Sequence, residues 1–195
     1  MIGRVWLGAC ALLLGAAGPV SDPDWPCVQR LVPVITASSL WSGGTGGDWR
    51  RDADVAALVA AVAPRSRPVD ASLDRLKAFV ATVPQADRPA RLALVFTGLL
   101  EQTNEQRTQV IDRLRAVARR QQAMVDATSR ITTELRALPA TAAASDREEI
   151  TSRRALMIRE YEEIERTILY SCEVPVQLET RLGQFVQVLQ AGLPS

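Results

Sequence analysis

Cys27 and Cys172 carry the most reactive side chains of the sequence beyond its first 20 residues. Two thiols in one chain can act as a catalytic redox pair or form a structural disulfide. The sequence contains no CxxC spacing and no histidine that would serve as a base, so it gives no support for catalytic thiol chemistry. We therefore expect a structural disulfide between Cys27 and Cys172.

Two clusters of charged residues could in principle bind ions. The acidic run contains Glu160, Glu162, Glu163 and Glu165. Adjacent glutamates on a helix point to different faces, and nearby arginines can pair with them. The basic cluster Arg113, Arg115, Arg119 and Arg120 is bracketed by aspartates in the same way. Both clusters predict solvated, salt-bridged helix faces, with no metal site and no cofactor.

A glycine-rich tract over residues 42–48 invites comparison with phosphate-binding loops. It lacks the lysine and the strand-turn-helix setting that such loops require. We expect it to be a flexible linker within an irregular N-terminal segment, residues 18–51. Three tryptophans of this segment, Trp25, Trp41 and Trp49, are expected to anchor it to the rest of the fold. The alternative is that they form an exposed partner-binding patch.

The first 17 residues have the parts of a secretory signal peptide. Arg4 is followed by an apolar stretch and by small residues at 15–17, after which we expect cleavage. An uncleaved membrane anchor is the alternative, but the apolar run is shorter than the roughly 20 residues of a span. Cys10 resembles a lipoprotein cysteine, although apolar residues continue beyond it. We therefore expect a periplasmic or secreted protein with no membrane span after cleavage.

Charge and composition restrict the function further. Loss of Arg4 would lower the 23 lysines and arginines to 22, equal to the 22 aspartates and glutamates. This balance gives no support for binding to nucleic acid or to an anionic membrane. The absence of histidine removes the commonest general base and metal ligand. No catalytic residue and no small-molecule substrate is predicted.

The remaining sequence predicts helices. Residues 52–84 hold two short amphipathic helices separated by prolines. Residues 87–172 predict a long antiparallel hairpin, because apolar residues recur every 3.5 positions on both sides of a turn at Pro139. Pro175 is expected to break the chain, and residues 173–195 to form a separate amphipathic helix. Polar residues interrupt the hairpin seam at Thr103, Arg107, Gln121 and Thr128, where they fix the register or face a partner.

These elements predict an all-α fold: a small helical base, a long hairpin extending from it, and an irregular N-terminal segment tied to the base by the disulfide. A two-helix stem leaves much of each helix without a second neighbour, which predicts a protein partner or a homodimer. We expect an exported, non-enzymatic accessory protein that acts as an interaction arm, adaptor or spacer for another envelope protein.

Residues 102–106, with the sequence QTNEQ, are similar to the LTxxQ element of the Spy-type periplasmic chaperones. Thr103 and Gln106 match the element, whereas Gln102 replaces its leucine. The resemblance implies antiparallel helical hairpins that bind unfolded envelope proteins. This is the alternative function that the sequence suggests.

Overall fold

The structure is a computed structural model that describes residues 22–194, and it is helical throughout that range. The predicted signal peptide and Cys10 lie outside the described residues. The helices are α1 (Ala53–Val62), α2 (Val69–Thr82), α3 (Arg88–Ala137) and α4 (Ala144–Ala191). Short 3-10 turns at Ala37–Ser39 and Trp49–Arg51 precede them. The predicted all-α fold with a long antiparallel hairpin is confirmed.

The base of the molecule combines α1 and α2 with the first part of α3 and the last part of α4. Asp52 begins α1, since its carboxylate accepts hydrogen bonds from the backbone N–H groups of Asp54 and Val55 at 3.1 Å. Large side chains from all four helices are fully buried together, among them Leu76, Leu92, Phe96, Leu182, Phe185 and Leu189. Each contributes roughly 1.5–3 kcal/mol to folding, so the base is the main source of stability.

The hairpin consists of α3 and α4, which make most of the contacts between helices. With its 50 residues, α3 is about 75 Å long. The seam positions predicted for α3 are all buried or half-buried, as the 3.5-residue period requires. The turn falls between Ala137 and Ala144, around Pro139.

The prediction that Pro175 ends a helix is wrong. The structure has one continuous helix, α4, from Ala144 to Ala191, with Pro175 inside it. A proline in a helix interior removes a backbone hydrogen bond and costs about 3 kcal/mol. Here the proline ring is buried, and the flanking turns of α4 pack against α3 on both sides of it. This tertiary burial outweighs the local penalty.

The glycine-rich tract is part of the packed base, which corrects its interpretation as a free linker. The Gly46 N–H donates to the Thr97 hydroxyl at 3.0 Å. A β-carbon at Gly46 would lie 2.7 Å from the backbone nitrogen of Leu94. Gly44 has a φ of 75°, which favours glycine. The glycines are therefore explained by close approach to α3.

Candidate interaction site

An extended segment, residues 22–35, lies along the hairpin and is here called the strap. Its contacts descend α3 as its own numbering rises. The Val32 carbonyl accepts a hydrogen bond from Arg107 at 2.6 Å. The Asn104 side chain then satisfies both backbone groups of Ile35, donating to its carbonyl and accepting from its N–H, each at 2.9 Å. The strap therefore runs antiparallel to α3 toward the base.

Two ion pairs fasten the start of the strap. Asp22 accepts two contacts from the Arg115 guanidinium, at 2.7 and 2.8 Å, and Asp24 pairs with Arg119 at 2.8 Å. The hydrogen bond from Arg115 holds the pKa of Asp22 below its ordinary value. These arginines belong to the basic cluster of the sequence. Their partners prove to be strap aspartates as well as neighbours on the helix.

The predicted disulfide between Cys27 and Cys172 is formed, with a Cα–Cα distance of 5.6 Å. It belongs to a second, smaller apolar cluster that contains Leu114 and Ile168, with Trp25 packed beside them. This cluster is separate from the core of the base. The bridge lies where the packed base gives way to the two-helix part of the hairpin.

Arg107 connects the strap to both long helices. Its side chain is only 3% exposed. One guanidinium nitrogen donates to the Val32 carbonyl and the other to the Pro175 carbonyl, both at 2.6 Å. Glu179 lies 3.6 Å away and is half-exposed. Burial lowers the pKa of Arg107, and the Glu179 carboxylate partly offsets that effect.

The three tryptophans have structural contacts. Trp41 is buried and stacks on Phe96 with ring centroids 5.0 Å apart. Trp49 is also buried and donates to Glu101 at 2.8 Å. The exposed patch considered for Trp41 and Trp49 therefore does not exist, because both indoles anchor the N-terminal segment to α3. Trp25 is half-buried beside the disulfide, and a partner-binding role for it stays a prediction.

Beyond the strap the hairpin continues as a free arm, defined as residues 116–138, the turn, and residues 144–167. Each helix of the arm has only the other as a neighbour in the described structure. Met124 and Ile150 are its only buried side chains there. Ion pairs across the arm, Arg120 with Glu160 and Arg153 with Glu134, supplement this thin seam.

Three large apolar side chains of the arm are exposed to solvent. Val125 is 44%, Leu156 55% and Ile158 39% exposed. Val125 and Ile158 each follow a seam methionine, and in an antiparallel helix pair the positions after the seam fall on the same side of both helices. Leu156 precedes the seam and faces the other side. The arm thus presents apolar groups on both of its faces.

Sequence reasoning found the seam but not the use of its polar positions. Thr103 and Arg107 are buried where the base meets the strap. Asn104, which holds the strap, lies beside them and was not singled out. Glu160 of the acidic run pairs across the arm with Arg120, as expected for a salt-bridged face. A cluster of polar residues inside an apolar seam was the available signal for a third chain segment packing there.

The described residues offer little for chemistry. Within residues 22–194 no group of three or more cysteines, aspartates or glutamates is arranged to hold a metal ion. Over the same range, none of the helices combines the length and hydropathy that a membrane span needs. Comparison of the chain with family models, with curated proteins and with solved structures gave no match.

Proposed function

We propose that this chain is an exported, non-enzymatic accessory protein whose arm binds or spaces another protein of the cell envelope. The observation that carries the proposal is the free arm, on which Val125, Leu156 and Ile158 are exposed although no third helix covers them. Exposed apolar groups on a rigid projecting element are typical of protein-binding surfaces. The disulfide is compatible with an oxidising compartment outside the cytoplasm.

The strap supports this role mechanically. Its disulfide, ion pairs and hydrogen bonds fix both helices at the point where the arm begins. From there to the turn, α3 extends for about 35 Å. A base that is held together covalently can present such an arm at a constant angle. An adaptor or spacer needs this property.

Site-specific photo-crosslinking in the native envelope tests the proposal. Probes at Thr141 near the turn and at Ile158 on the arm are compared with a control probe at Ala57, which is exposed on α1. We expect one dominant adduct from the arm positions and none of the same mass from Ala57. Self-adducts alone would show that the arm forms a homodimer and has no separate partner, which would contradict the adaptor function.

A chaperone for unfolded envelope proteins is the second candidate function. Apolar side chains on both faces of the arm favour it, because a client could be bound from either side. However, the two residues that match the chaperone element are packed in the base. Thr103 is 8% exposed, and the Gln106 amide donates to the Ala63 carbonyl at 3.1 Å. Many unrelated adducts in the crosslinking experiment would replace the adaptor proposal with this one.

A further inference from the structure

A groove crosses the base between α2 and α4, on a surface that the arm does not use. It consists of two adjoining depressions with volumes of about 620 and 650 Å³, which share Gln184. Along α4 they extend from Val174 to Gly192. This distance of about 18 residues corresponds to about 27 Å of helix. The groove therefore has the length of a five-turn helix.

The floor of the groove has the spacing of a coiled-coil seam. The α4 residues that line it are separated alternately by three and four positions: Val174, Gln177, Arg181, Gln184, Val188 and Ala191. The opposite wall is formed by apolar residues one turn or two apart on α2, namely Val69, Leu73 and Val80. Seams of this period accept the side chains of another helix as knobs into holes. In the described residues this stripe has no helix packed on it.

The charge along the groove has a single sign. Arg65, Lys77, Arg88 and Arg181 line it, and none of the lining residues is acidic. Of these four cations, only Lys77 has a carboxylate within ion-pair distance in residues 22–194, that of the exposed Asp74. The groove therefore combines an apolar floor with uncompensated positive charge.

Arg181 illustrates how the positive charge is held in place. Its guanidinium donates to the carbonyls of Val62 and Arg67 and to the Ser72 hydroxyl, at 2.8–3.0 Å. All of these acceptors are neutral. Burial, together with the nearby Arg67, lowers the pKa of Arg181. The hydrogen bonds thus fix the position of the cation without neutralising it.

We propose that this groove binds an acidic amphipathic helix of a partner protein. The occupant would place apolar residues at a 3.5-residue period on the α4 stripe, and glutamates or aspartates opposite Arg65, Lys77 and Arg88. This inference rests on the proposed function, because it assigns to the accessory protein a second contact surface and the chemistry of what it binds. Charge complementarity and the seam period together specify the partner segment.

The shape of the surface favours a helix over an anionic bilayer. A membrane-binding face needs apolar side chains that project beyond the charged ones. Here Leu178 is buried and Val69, Leu73 and Val188 are half-buried in a depression, below the longer cationic side chains. A concave surface of this length fits a rod and would leave a gap against a flat bilayer.

Binding of designed peptides to the full chain, with the disulfide intact, tests the proposal. The probe is an 18-residue fluorescent helix with leucines at a 3.5-residue period and glutamates at the flanking positions. One control peptide has the same composition in scrambled order, and a second has lysines in place of the glutamates. Fluorescence anisotropy should give a Kd for the first peptide at least about 10-fold lower than for either control.

Charge-reversal variants locate the binding site. The double variant R65E/K77E should raise the Kd of the acidic helix by about 10-fold or more. The matched control R130E/R136E makes the same change of net charge on exposed positions of the arm, and should change the Kd by less than about 2-fold. Circular dichroism establishes that each variant is folded. Should R65E/K77E fail to fold, Gln177→Glu on the exposed edge of the stripe takes its place.

Several results would overturn the proposal. An equal loss of affinity in R65E/K77E and R130E/R136E would show that attraction between net charges explains binding. Equal binding of the scrambled peptide would exclude recognition of a helix. Binding to phosphatidylglycerol vesicles that only R65E/K77E abolishes, without peptide binding, would assign the groove to a membrane. A dimer detected by sedimentation and lost only in R65E/K77E would assign it to a second copy.

The groove and the arm can fail separately. If R65E/K77E leaves the dominant arm adduct at Thr141 and Ile158 unchanged while peptide binding is absent, the groove proposal is wrong and the adaptor function stands. If the acidic helix binds as expected but the arm gives no partner adduct, the groove proposal stands and the role assigned to the arm is wrong.

Discussion

Arg107 is the residue at which the strap, α3 and α4 meet. A buried guanidinium is costly to desolvate, and it is held here by two backbone carbonyls 2.6 Å from its terminal nitrogens. The same residue closes the space between Val32 of the strap and Pro175 of α4. Its position in the middle of an apolar seam therefore serves the attachment of a third chain segment.

Arg107→Ala should lower the free energy of unfolding by about 2–4 kcal/mol, because it leaves the buried Val32 carbonyl without a donor. Urea unfolding with the disulfide intact measures this change. Arg113→Ala, on an exposed position two turns further along α3, is the matched control and should change stability by less than about 0.5 kcal/mol. Equal effects of the two substitutions would show that Arg107 does not anchor the strap.

Asp52 couples stability to pH. It caps α1 and accepts hydrogen bonds from Arg91 at 2.9 and 3.0 Å, and this contact lowers its pKa from 3.8. Because the folded pKa is depressed, the stabilisation is complete above the unfolded value near pH 4 and is lost as the pH falls through the folded pKa. Wild-type protein should therefore lose more stability between pH 5 and about pH 2 than Asp52→Asn does.

The comparison for Asp52 is made by urea unfolding at each pH. At neutral pH, Asp52→Asn should cost about 1–2 kcal/mol through the weakened cap and ion pair. Asp70→Asn, on the exposed first turn of α2, is the control and should keep the wild-type pH profile. If Asp52→Asn retained the full acid dependence, the contact with Arg91 would not be its source.

At the scale of elements, the disulfide should act mainly on the strap and the unfolded chain. The double variant C27A/C172A removes a cross-link between residues 145 positions apart. We expect the free energy of unfolding to fall by about 2–5 kcal/mol, since the unfolded chain gains freedom. Wild-type protein reduced with dithiothreitol should lose a similar amount.

Hydrogen exchange resolves where the loss occurs. In C27A/C172A the backbone amides of the strap, including the Ile35 N–H bonded to Asn104, should exchange faster. Amides near Leu76 in the base should change only as much as global stability does. Uniform acceleration over the whole chain would show that the strap does not open separately.

The elements differ in how far the sequence predicts them. The seam of α3 was predictable because every third or fourth residue is apolar for many turns, and the disulfide because only two cysteines follow the leader. The continuity of α4 was not, since Pro175 has an unfavourable local propensity and only long-range burial explains its place. The course of the strap depends on hydrogen bonds from Asn104 and Arg107, which local patterns do not reveal.

At the scale of the whole molecule, the structure predicts an elongated particle in solution. A compact chain of this length would have a radius of gyration of about 16 Å. The length of α3 alone predicts a maximum dimension of about 80 Å and a radius of gyration above about 20 Å. Small-angle X-ray scattering measures both values. A radius near 16 Å would show that the arm folds back on the base.

The groove and the tip of the arm belong to one uninterrupted helix, because α4 passes through Pro175 without ending. The centre of the groove at Gln184 and the first residue of α4, Ala144, are about 40 residues apart, or about 60 Å. A rod of this length works as a lever. A tilt of about 10° at the base would displace the tip by about 10 Å. Small adjustments where the base is held thus become large movements at the far end.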